Sequence, residues 1–236
     1  MLNYFHSGDS ALIIKSGNDI SESSNITIRK LLVLLEKENL RGVLDFIPSY
    51  NELMICFDPS EIMYEELEAF VVSRSESLDE VVLPEPTVVR IPVLYGGISG
   101  PDLHEVSEIN SLTPEEVISI HSSTVYLVYM LGFTPGFCYL GGMDDRIATP
   151  RKTTPRLRIE AGSVGIADRQ TGIYPVDSPG GWQLIGKTPV KLFDARRSPE
   201  FLINPGDYIK FYQVDSDEYL DILEKVKTGS YIPGKS

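Results

Sequence analysis

Cysteine and histidine are scarce in this chain. Its 236 residues include two cysteines and three histidines, which are Cys56, Cys138, His6, His104 and His121. The cysteines lie far apart and form no cluster with a histidine, so the pattern fits neither a zinc site nor a disulfide framework. We expect two buried thiols in a reducing cytoplasm and no metal bound by this chain.

Positive charge and long apolar runs are also lacking. Lysine and arginine total 21 against 34 aspartates and glutamates, which gives a formal net charge of −13. Such a chain repels a phosphate backbone, which argues against nucleic-acid binding. No apolar run approaches the ~20 residues that span a bilayer, and the N-terminus carries no basic segment of a secretory signal. The sequence therefore predicts a folded cytoplasmic protein with no membrane partner.

The first third of the sequence alternates strand and helix patterns. The predicted elements are strands at Ser10–Lys15, Val43–Ile47 and Leu53–Phe57, a helix capped by Asp19 or Ser21, and a helix over Ile62–Ser73. This order is typical of a split βαβ unit. We therefore predict an α+β protein whose first domain, residues 1–85, is small and ferredoxin-like. It ends at Pro84-Glu85-Pro86, where two prolines favour an extended connector.

Short β-rich runs and turn residues dominate after this connector, which favours a β-barrel domain over residues 86–214. The predicted strands are Thr87–Leu94, Val125–Leu131, Val164–Ala167, Trp182–Ile185, Val190–Phe193 and Tyr208–Gln213. Two helices interrupt them, over Pro101–Ile109 and after Thr113, where Thr113 and Glu116 form a capping box. Residues 215–236 are predicted as a helix over Tyr219–Val226 and a loose tail.

One motif is misleading. Gly181–Thr188 matches the G-x-x-x-x-G-K-T pattern of a phosphate-binding loop. That loop requires a strand before it and a helix after it, whose N-terminus faces the phosphates. Here a turn precedes the motif, and Pro189 and a strand-like run follow it. We therefore predict that Gly181–Thr188 binds no nucleotide.

Glycine, proline and polar side chains are concentrated between Leu131 and Phe193, as expected for rigid loops around a small polar ligand. Arg151 or Arg156 can bind a carboxylate with two parallel hydrogen bonds, Gln170 can pair with an amide, and Phe137 and Trp182 can form apolar walls. The predicted substrate-binding set is Phe137, Arg151, Arg156, Gln170, Tyr174, Ser178 and Trp182. The alternative is that the glycines and prolines build barrel corners, the aromatic residues belong to the core and the arginines are solvated.

No catalytic residue can be assigned from the sequence. The chain has no carboxylate pair at a recognisable spacing and no G-x-S-x-G nucleophile motif. His121, which follows the helix after Thr113, is a weak candidate, and a buried structural histidine is the alternative.

Several segments of the chain resemble a known family. The matching segments are Gly8–Leu12, Val43–Tyr50, Val93–Gly97, Gly100–Leu103 and, most densely, Gly132–Phe193. They resemble the Kip inhibitor family, also known as the first subunit of allophanate hydrolase or the B subunit of 5-oxoprolinase. The resemblance implies a cyclophilin-like barrel as the second domain. Cys138, Glu160 and Asp168-Arg169 depart from the family pattern, which leaves the detail of the ligand loops open.

The resemblance implies three alternative functions. The first is the B subunit of an ATP-dependent 5-oxoprolinase complex, inactive alone, with ATP as the co-substrate of the complex and no biotin on this chain. Its partners would be a C-type subunit, which is a homologue of the Kip antagonist, and an A-type subunit of the lactam-utilisation kind. The second is inhibition of a sensor histidine kinase. The third is a role in allophanate or urea metabolism.

Overall fold

A computed structural model describes residues 2–235 of the chain, which divides into two compact units, Met1–Glu85 and Pro86–Ser236. The division falls where Pro84 and Pro86 flank Glu85, in a stretch without helix or strand. Proline has no backbone N–H to give to a sheet or a helix, which explains why regular structure stops here.

The first unit is a four-stranded antiparallel sheet with two helices. Its elements are β1 (Leu2–His6), β2 (Ala11–Ser16), α1 (Glu22–Glu38), β3 (Val43–Pro48), β4 (Glu52–Phe57) and α2 (Tyr64–Ser75). The predicted cap is confirmed, because the Ser21 side chain accepts a hydrogen bond from the Ser24 N–H at 3.2 Å. One face of the sheet packs on the helices, and Leu12, Ile55 and Ile28 are completely buried between them.

The predicted ferredoxin-like topology is not confirmed. The strand order is β1-β2-β4-β3, so β2, β4 and β3 follow the order of a split βαβ unit. The fourth strand, however, is β1, which precedes this unit in the chain and pairs with β2 from Leu2↔Ser16 to His6↔Leu12. A ferredoxin-like chain would add its last strand after α2. The sequence pattern missed β1 because this five-residue edge strand is only half-buried and shows little alternation.

The second unit contains a seven-stranded sheet, a two-stranded ribbon and three helices. Its strands are β5 (Val88–Tyr95), β6 (Tyr126–Leu131), β7 (Cys138–Gly141), β8 (Arg156–Ile159), β9 (Ser163–Ala167), β10 (Gln170–Ile173), β11 (Ser178–Gly180), β12 (Gln183–Lys187) and β13 (Tyr208–Gln213). Its helices are α3 (Leu103–Ile109), α4 (Pro114–Ser123) and α5 (Ser216–Lys227).

The seven-stranded sheet curves into a nearly closed barrel. Its order is β10-β9-β12-β5-β13-β6-β7, with β5 and β13 parallel and the other pairs antiparallel. The two end strands lie side by side, because a Cβ on Gly172 of β10 would be 3.5 Å from the Cys138 carbonyl oxygen of β7. The strands enclose an apolar core that includes Ile91, Val164 and Phe211. The predicted barrel is thus found in a nearly closed form.

Two predicted features of this unit are wrong. Val190–Phe193 forms no strand, and within it only Phe193 makes an isolated bridge, to Phe201. The tail after α5 is not loose either. The Arg90 N–H donates to the Gly234 carbonyl at 2.9 Å, and Lys235 bridges to Val89. The end of the described chain is thereby attached to β5. Among residues 2–235, no helix is both long enough and apolar enough to cross a bilayer.

Candidate functional site

A pocket of about 240 Å³ opens at one end of the barrel. It is lined by Phe133, Phe137, Tyr139, Arg151, Gln170, Tyr174, Pro179, Gly180, Gly181 and Trp182. These residues come from the β6–β7 loop, the loop before β8, the start of β10 and the segment around β11. Five of the seven predicted substrate-binding residues therefore share one cavity. Its volume is below the ~300–1,000 Å³ typical of drug-sized ligands, so the pocket suits a small molecule.

Aromatic rings form the walls of this pocket. Phe137, Tyr174 and Trp182 contact one another edge to face, with ring centroids 5.8 to 6.2 Å apart. All three are at most 9% exposed, and Tyr139 packs on Phe137 at 5.1 Å. Edge-to-face pairs are worth ~0.5–1.5 kcal/mol each beyond their area burial. The walls are therefore a rigid cluster, which explains how the same side chains serve both as local core and as ligand surface.

Two glycines make room for these rings. A Cβ on Gly172 would lie 3.1 Å from Cζ3 of Trp182, and a Cβ on Gly180 would lie 2.4 Å from the Tyr174 hydroxyl oxygen. Both glycines thus allow a close approach of ring to backbone that a larger residue would prevent. The packing of the pocket therefore explains why glycine is required at these two positions of the segment.

Arg151 and Gln170 add polar groups to the aromatic pocket. Arg151 is 58% exposed and its Nε lies 3.4 Å from Oδ2 of Asp168, a loose ion pair at the surface. Asp168 occupies the hairpin between β9 and β10 with a φ of 53°, in the left-handed region. Gln170 is the first residue of β10. The pocket therefore combines apolar walls with one guanidinium and one amide, a set that suits a small acid carrying an amide group.

Arg156 does not line the pocket. Its Nη2 donates to Oδ1 of Asp102 at 2.7 Å, and its Nη1 donates to the Trp182 carbonyl at 3.4 Å. The guanidinium therefore binds a buried carboxylate behind the pocket wall. Of the two arginines predicted to hold a carboxylate, only Arg151 lines the cavity.

Asp102 is the centre of a buried polar network. Its side chain is 5% exposed and accepts hydrogen bonds from Arg156, from Lys152 Nζ at 3.2 Å and from the Leu184 N–H at 2.7 Å. Burial raises the pKa of the Asp102 carboxyl, but the bonds from Arg156 and Leu184 outweigh this effect and hold the pKa below its ordinary value. Asp102 is thus a buried anion compensated by two cations.

Ser178 lies beside the pocket without lining it. It pairs with Ile159 in the ribbon of β8 and β11, and the next residues, Pro179 to Gly181, reach the cavity. The serine was predicted as part of a loop, but it belongs to a short strand. Its side chain is therefore not part of the cavity lining.

His121 is a core residue. It is completely buried, its Nδ1 lies 2.8 Å from the Tyr95 hydroxyl, and its Nε2 lies 2.8 Å from Oγ1 of Thr171. Burial lowers the pKa of His121 to about 3, so the ring is neutral at physiological pH. With both nitrogens bonded inside the barrel, His121 fits the structural alternative and not the catalytic one.

A larger cavity, of about 410 Å³, lies elsewhere in the second unit, between the segment after β12 and the end of α5. The charged side chains that line this cavity form ion pairs and hydrogen bonds with neighbouring residues. Asp194 pairs with Arg196 and Lys191, and the Arg197 guanidinium donates to the carbonyls of four residues: Pro199, Lys191, Leu192 and Glu200. None of the predicted site residues lines it, so the aromatic pocket is the better candidate site.

Comparison with known proteins agrees with this architecture. Residues 2–203 match the model of the family described as "Carboxyltransferase domain, subdomain C and D". The chain belongs to this family. It is 44% identical over 222 residues to the 5-oxoprolinase B subunit of Bacillus subtilis, covering 90% of this chain and 92% of the relative. It is 38% identical over 205 residues to the 5-oxoprolinase B subunit of Escherichia coli O157:H7, covering 86% and 92%.

A solved structure shares the fold. The crystal structure of TTHA0988 superposes with a TM-score of 0.75 at 35% identity over 92% of this chain. The match spans only 41% of the TTHA0988 chain, so that protein carries a long additional segment.

The phosphate-loop motif of this family member lies in a strand. Gln183–Lys187 is β12, which pairs with β5 and β9, and no helix follows it. Lys187 forms an ion pair with Glu160 and does not project from a glycine-rich loop. Residues 2–235 also contain no group of three or more His, Cys, Asp or Glu side chains placed to hold a metal. Cys138 is buried and Cys56 half-buried, and neither forms a disulfide.

Three residues of the site were not among those predicted from the sequence. Phe133 and Tyr139 line the pocket, but in the sequence they stand out only as members of glycine-rich segments. Asp102 lies within the predicted helix Pro101–Ile109, and its partners Lys152 and Arg156 lie 50 and 54 residues further along the chain. Phe133, Phe137 and Tyr139 are spaced by four and then two residues, and this aromatic spacing is a signal that could have identified Phe133 and Tyr139. No local pattern reveals the network of Asp102.

Proposed function

We propose that this chain is the B subunit of an ATP-dependent 5-oxoprolinase complex, which opens 5-oxoproline to glutamate. The observation that carries the proposal is the 44% identity to the 5-oxoprolinase B subunit of Bacillus subtilis, over 90% of this chain and 92% of the relative. Near full-length similarity at this level applies to both units of the chain and not to the barrel alone.

The pocket supports this substrate. 5-Oxoproline is a small five-membered lactam with one carboxylate, so it needs a small cavity with an apolar wall, a cation and an amide. Trp182 and Phe137 supply the wall, Arg151 the cation and Gln170 the amide. Arg151 holds the carboxylate and Gln170 the lactam, which places the scissile amide bond within the aromatic enclosure.

ATP supplies the driving force, because a lactam is a stable amide. The terminal phosphoryl group passes from ATP to the lactam carbonyl oxygen, which releases ADP. A first water adds to that carbon, and the ring C–N bond breaks so that the nitrogen leaves as an amine and an acyl phosphate remains. A second water hydrolyses this acyl phosphate to the carboxylate and inorganic phosphate. This chain binds and orients the lactam in that sequence, while its partners supply the nucleotide chemistry.

The partners are a C-type subunit homologous to the Kip antagonist and an A-type subunit of the lactam-utilisation kind. Both relatives are B subunits by name, which supports a multi-subunit assembly. The length of TTHA0988 also supports it, because there the fold occupies 41% of a longer chain. The chain is accordingly inactive by itself.

A role in urea metabolism has weaker support. The urea amidolyase of Saccharomyces cerevisiae is 24% identical to this chain, which spans 14% of that protein. The higher identity to 5-oxoprolinase subunits therefore favours 5-oxoproline over urea as the substrate. Inhibition of a sensor histidine kinase is the remaining alternative, and the experiment below separates it.

The test is purification of the complex from native cells through a tag on this chain, followed by measurement of 5-oxoproline-dependent ATP hydrolysis. We expect activity from the complex and none from the chain alone, with allophanate and urea as control substrates that are not turned over. A complex that assembles but does not hydrolyse ATP with 5-oxoproline, while the chain inhibits a sensor histidine kinase, would replace the enzyme proposal with the regulatory one.

A further inference from the structure

The network around Asp102 connects two segments that each contribute residues to the pocket lining. One segment is the loop 150–156, which carries Arg151. The other is residues 181–184, which carry Trp182. Besides its side-chain bonds to Lys152 and Arg156 in the first segment, Asp102 accepts from the Leu184 N–H in the second.

Further hydrogen bonds join the same two segments. The Lys152 N–H donates to the Gly181 carbonyl at 2.7 Å, and Gln183 Nε2 donates to the Pro150 carbonyl at 3.1 Å. Arg156 also reaches the Trp182 carbonyl. Pro150 and Lys152 are the neighbours of Arg151, so the backbone on both sides of this arginine is fixed to the residues that flank Trp182.

The charges of the network leave Arg151 as the cation of the pocket. Arg156 and Lys152 are only 28% and 23% exposed, and both bind the Asp102 carboxylate. Lys152 also donates to Glu105 at 2.7 Å, so Arg156 is the cation that depends most on Asp102. Releasing Arg156 would leave the buried carboxylate with a single cation that it shares with Glu105. Among residues 2–235, the one ion pair of Arg151 is the loose contact with Asp168, so this 58% exposed side chain stays available to a ligand.

We propose that Asp102 is a positioning residue, which sets the distance between Arg151 and Trp182 and keeps Arg156 out of the pocket. It contacts no substrate and acts on substrate affinity through Arg151. The substrate named here rests on the proposed function, whereas the connection of Asp102 to the Trp182 segment does not.

The test compares Asp102→Asn with a matched control, Asp177→Asn. The asparagine at 102 keeps an acceptor for the Leu184 N–H but removes the charge that holds Arg156, while Lys152 keeps its pair with Glu105. Asp177 also accepts from an arginine, Arg158 at 2.7 Å, and from a backbone N–H, that of Ala161 at 2.8 Å, but it does not line the pocket. Thermal unfolding of both variants verifies that each remains folded.

The first readout is kinetic and uses the complex purified through this chain. We expect Asp102→Asn to raise KM for 5-oxoproline about tenfold with kcat within about twofold of the wild type, and Asp177→Asn to change neither. The double variant Asp102→Asn/Arg151→Ala should have the KM of Arg151→Ala alone, since Asp102 acts through that arginine. An unchanged KM in Asp102→Asn, or additive effects in the double variant, would overturn the inference.

The second readout is independent of the substrate. Trp182 is the single tryptophan of the chain, so its fluorescence reports on one wall of the pocket. We expect Asp102→Asn to increase acrylamide quenching of this fluorescence, and Asp177→Asn to leave it unchanged. If the wild-type complex does not turn over 5-oxoproline, the proposed function fails, and quenching alone decides the role of Asp102. Equal quenching in Asp102→Asn and the wild type then refutes it.

Discussion

Lowering the pH tests whether His121 is a core residue or a catalyst. The neutral ring is buried between Tyr95 and Thr171, and the pKa of His121 falls from 6.5 to about 3 on folding. The unfolded chain takes up a proton at His121 as the pH falls below 6.5, while the folded chain does not. A group whose pKa is lower in the folded state stabilises the fold above its unfolded pKa, and this stability is lost as the pH falls towards 3.

The size of the effect follows from the two pKa values. Each pH unit between them costs about 1.4 kcal/mol of unfolding free energy, so His121 alone removes about 2 kcal/mol between pH 7 and pH 5. Carboxylates with lowered pKa values, such as Asp102, lose stability in the same direction mainly at more acidic pH. A variant without the histidine is needed to separate the two contributions.

Urea unfolding at pH 7 and pH 5, followed by the fluorescence of Trp182 in the same unit, measures this loss. We expect the variant His121→Gln to be less stable at pH 7, because it lacks the ring that stacks on Phe211. Its loss of stability between the two pH values should be about 2 kcal/mol smaller than that of the wild type. Equal losses in both proteins would show that His121 is protonated in the folded state and would contradict its assignment to the core.

Three further predictions concern the pocket and the motif beside it. Arg151→Ala removes a charge-assisted contact of ~1.5–3 kcal/mol and should raise KM of the complex for 5-oxoproline by about ten- to a hundredfold. Arg156→Ala should instead lower the midpoint of thermal unfolding. A KM effect confined to Arg156→Ala would reverse the roles assigned to the two arginines. Gly172→Ala places a methyl group 3.1 Å from Trp182 Cζ3, and urea unfolding should show that the free energy of unfolding falls by about 1–3 kcal/mol. Unchanged stability together with unchanged Trp182 fluorescence would contradict this packing. Because Lys187 lies in a strand, Lys187→Ala should leave the affinity of the chain for ATP unchanged when it is measured by calorimetry. A loss of measurable ATP binding in this variant would support the phosphate-loop interpretation.

Local signals in the sequence predicted the elements whose stabilising contacts are local. The capping box at α4 is one example, since Thr113 and Glu116 are three residues apart and form both expected hydrogen bonds. The strands β7, β8, β10 and β11 were missed, because each has three or four residues and pairs at a turn-rich segment. The strand predicted at Val190–Phe193 was wrong for the opposite reason. It has the alternating pattern but lacks a partner strand.

The candidate site was predictable as a group of loops but not in its detail. Phe137, Gln170 and Trp182 were selected for their chemistry, and the barrel brings them to one cavity. Which arginine faces that cavity was not predictable, because Asp102, 54 residues before Arg156, decides it. The position of β1 was equally inaccessible, since an edge strand is defined by its partner and not by its own pattern.

The central claim is that this chain contributes to the conversion of 5-oxoproline into glutamate. The most direct measurement is the formation of glutamate and ADP from 5-oxoproline and ATP, by the complex assembled with this chain and by the same partners without it. We predict one glutamate for each ADP with the chain present and no glutamate without it. Glutamate formed at the same rate without the chain, or none formed by the complete complex, would contradict this claim.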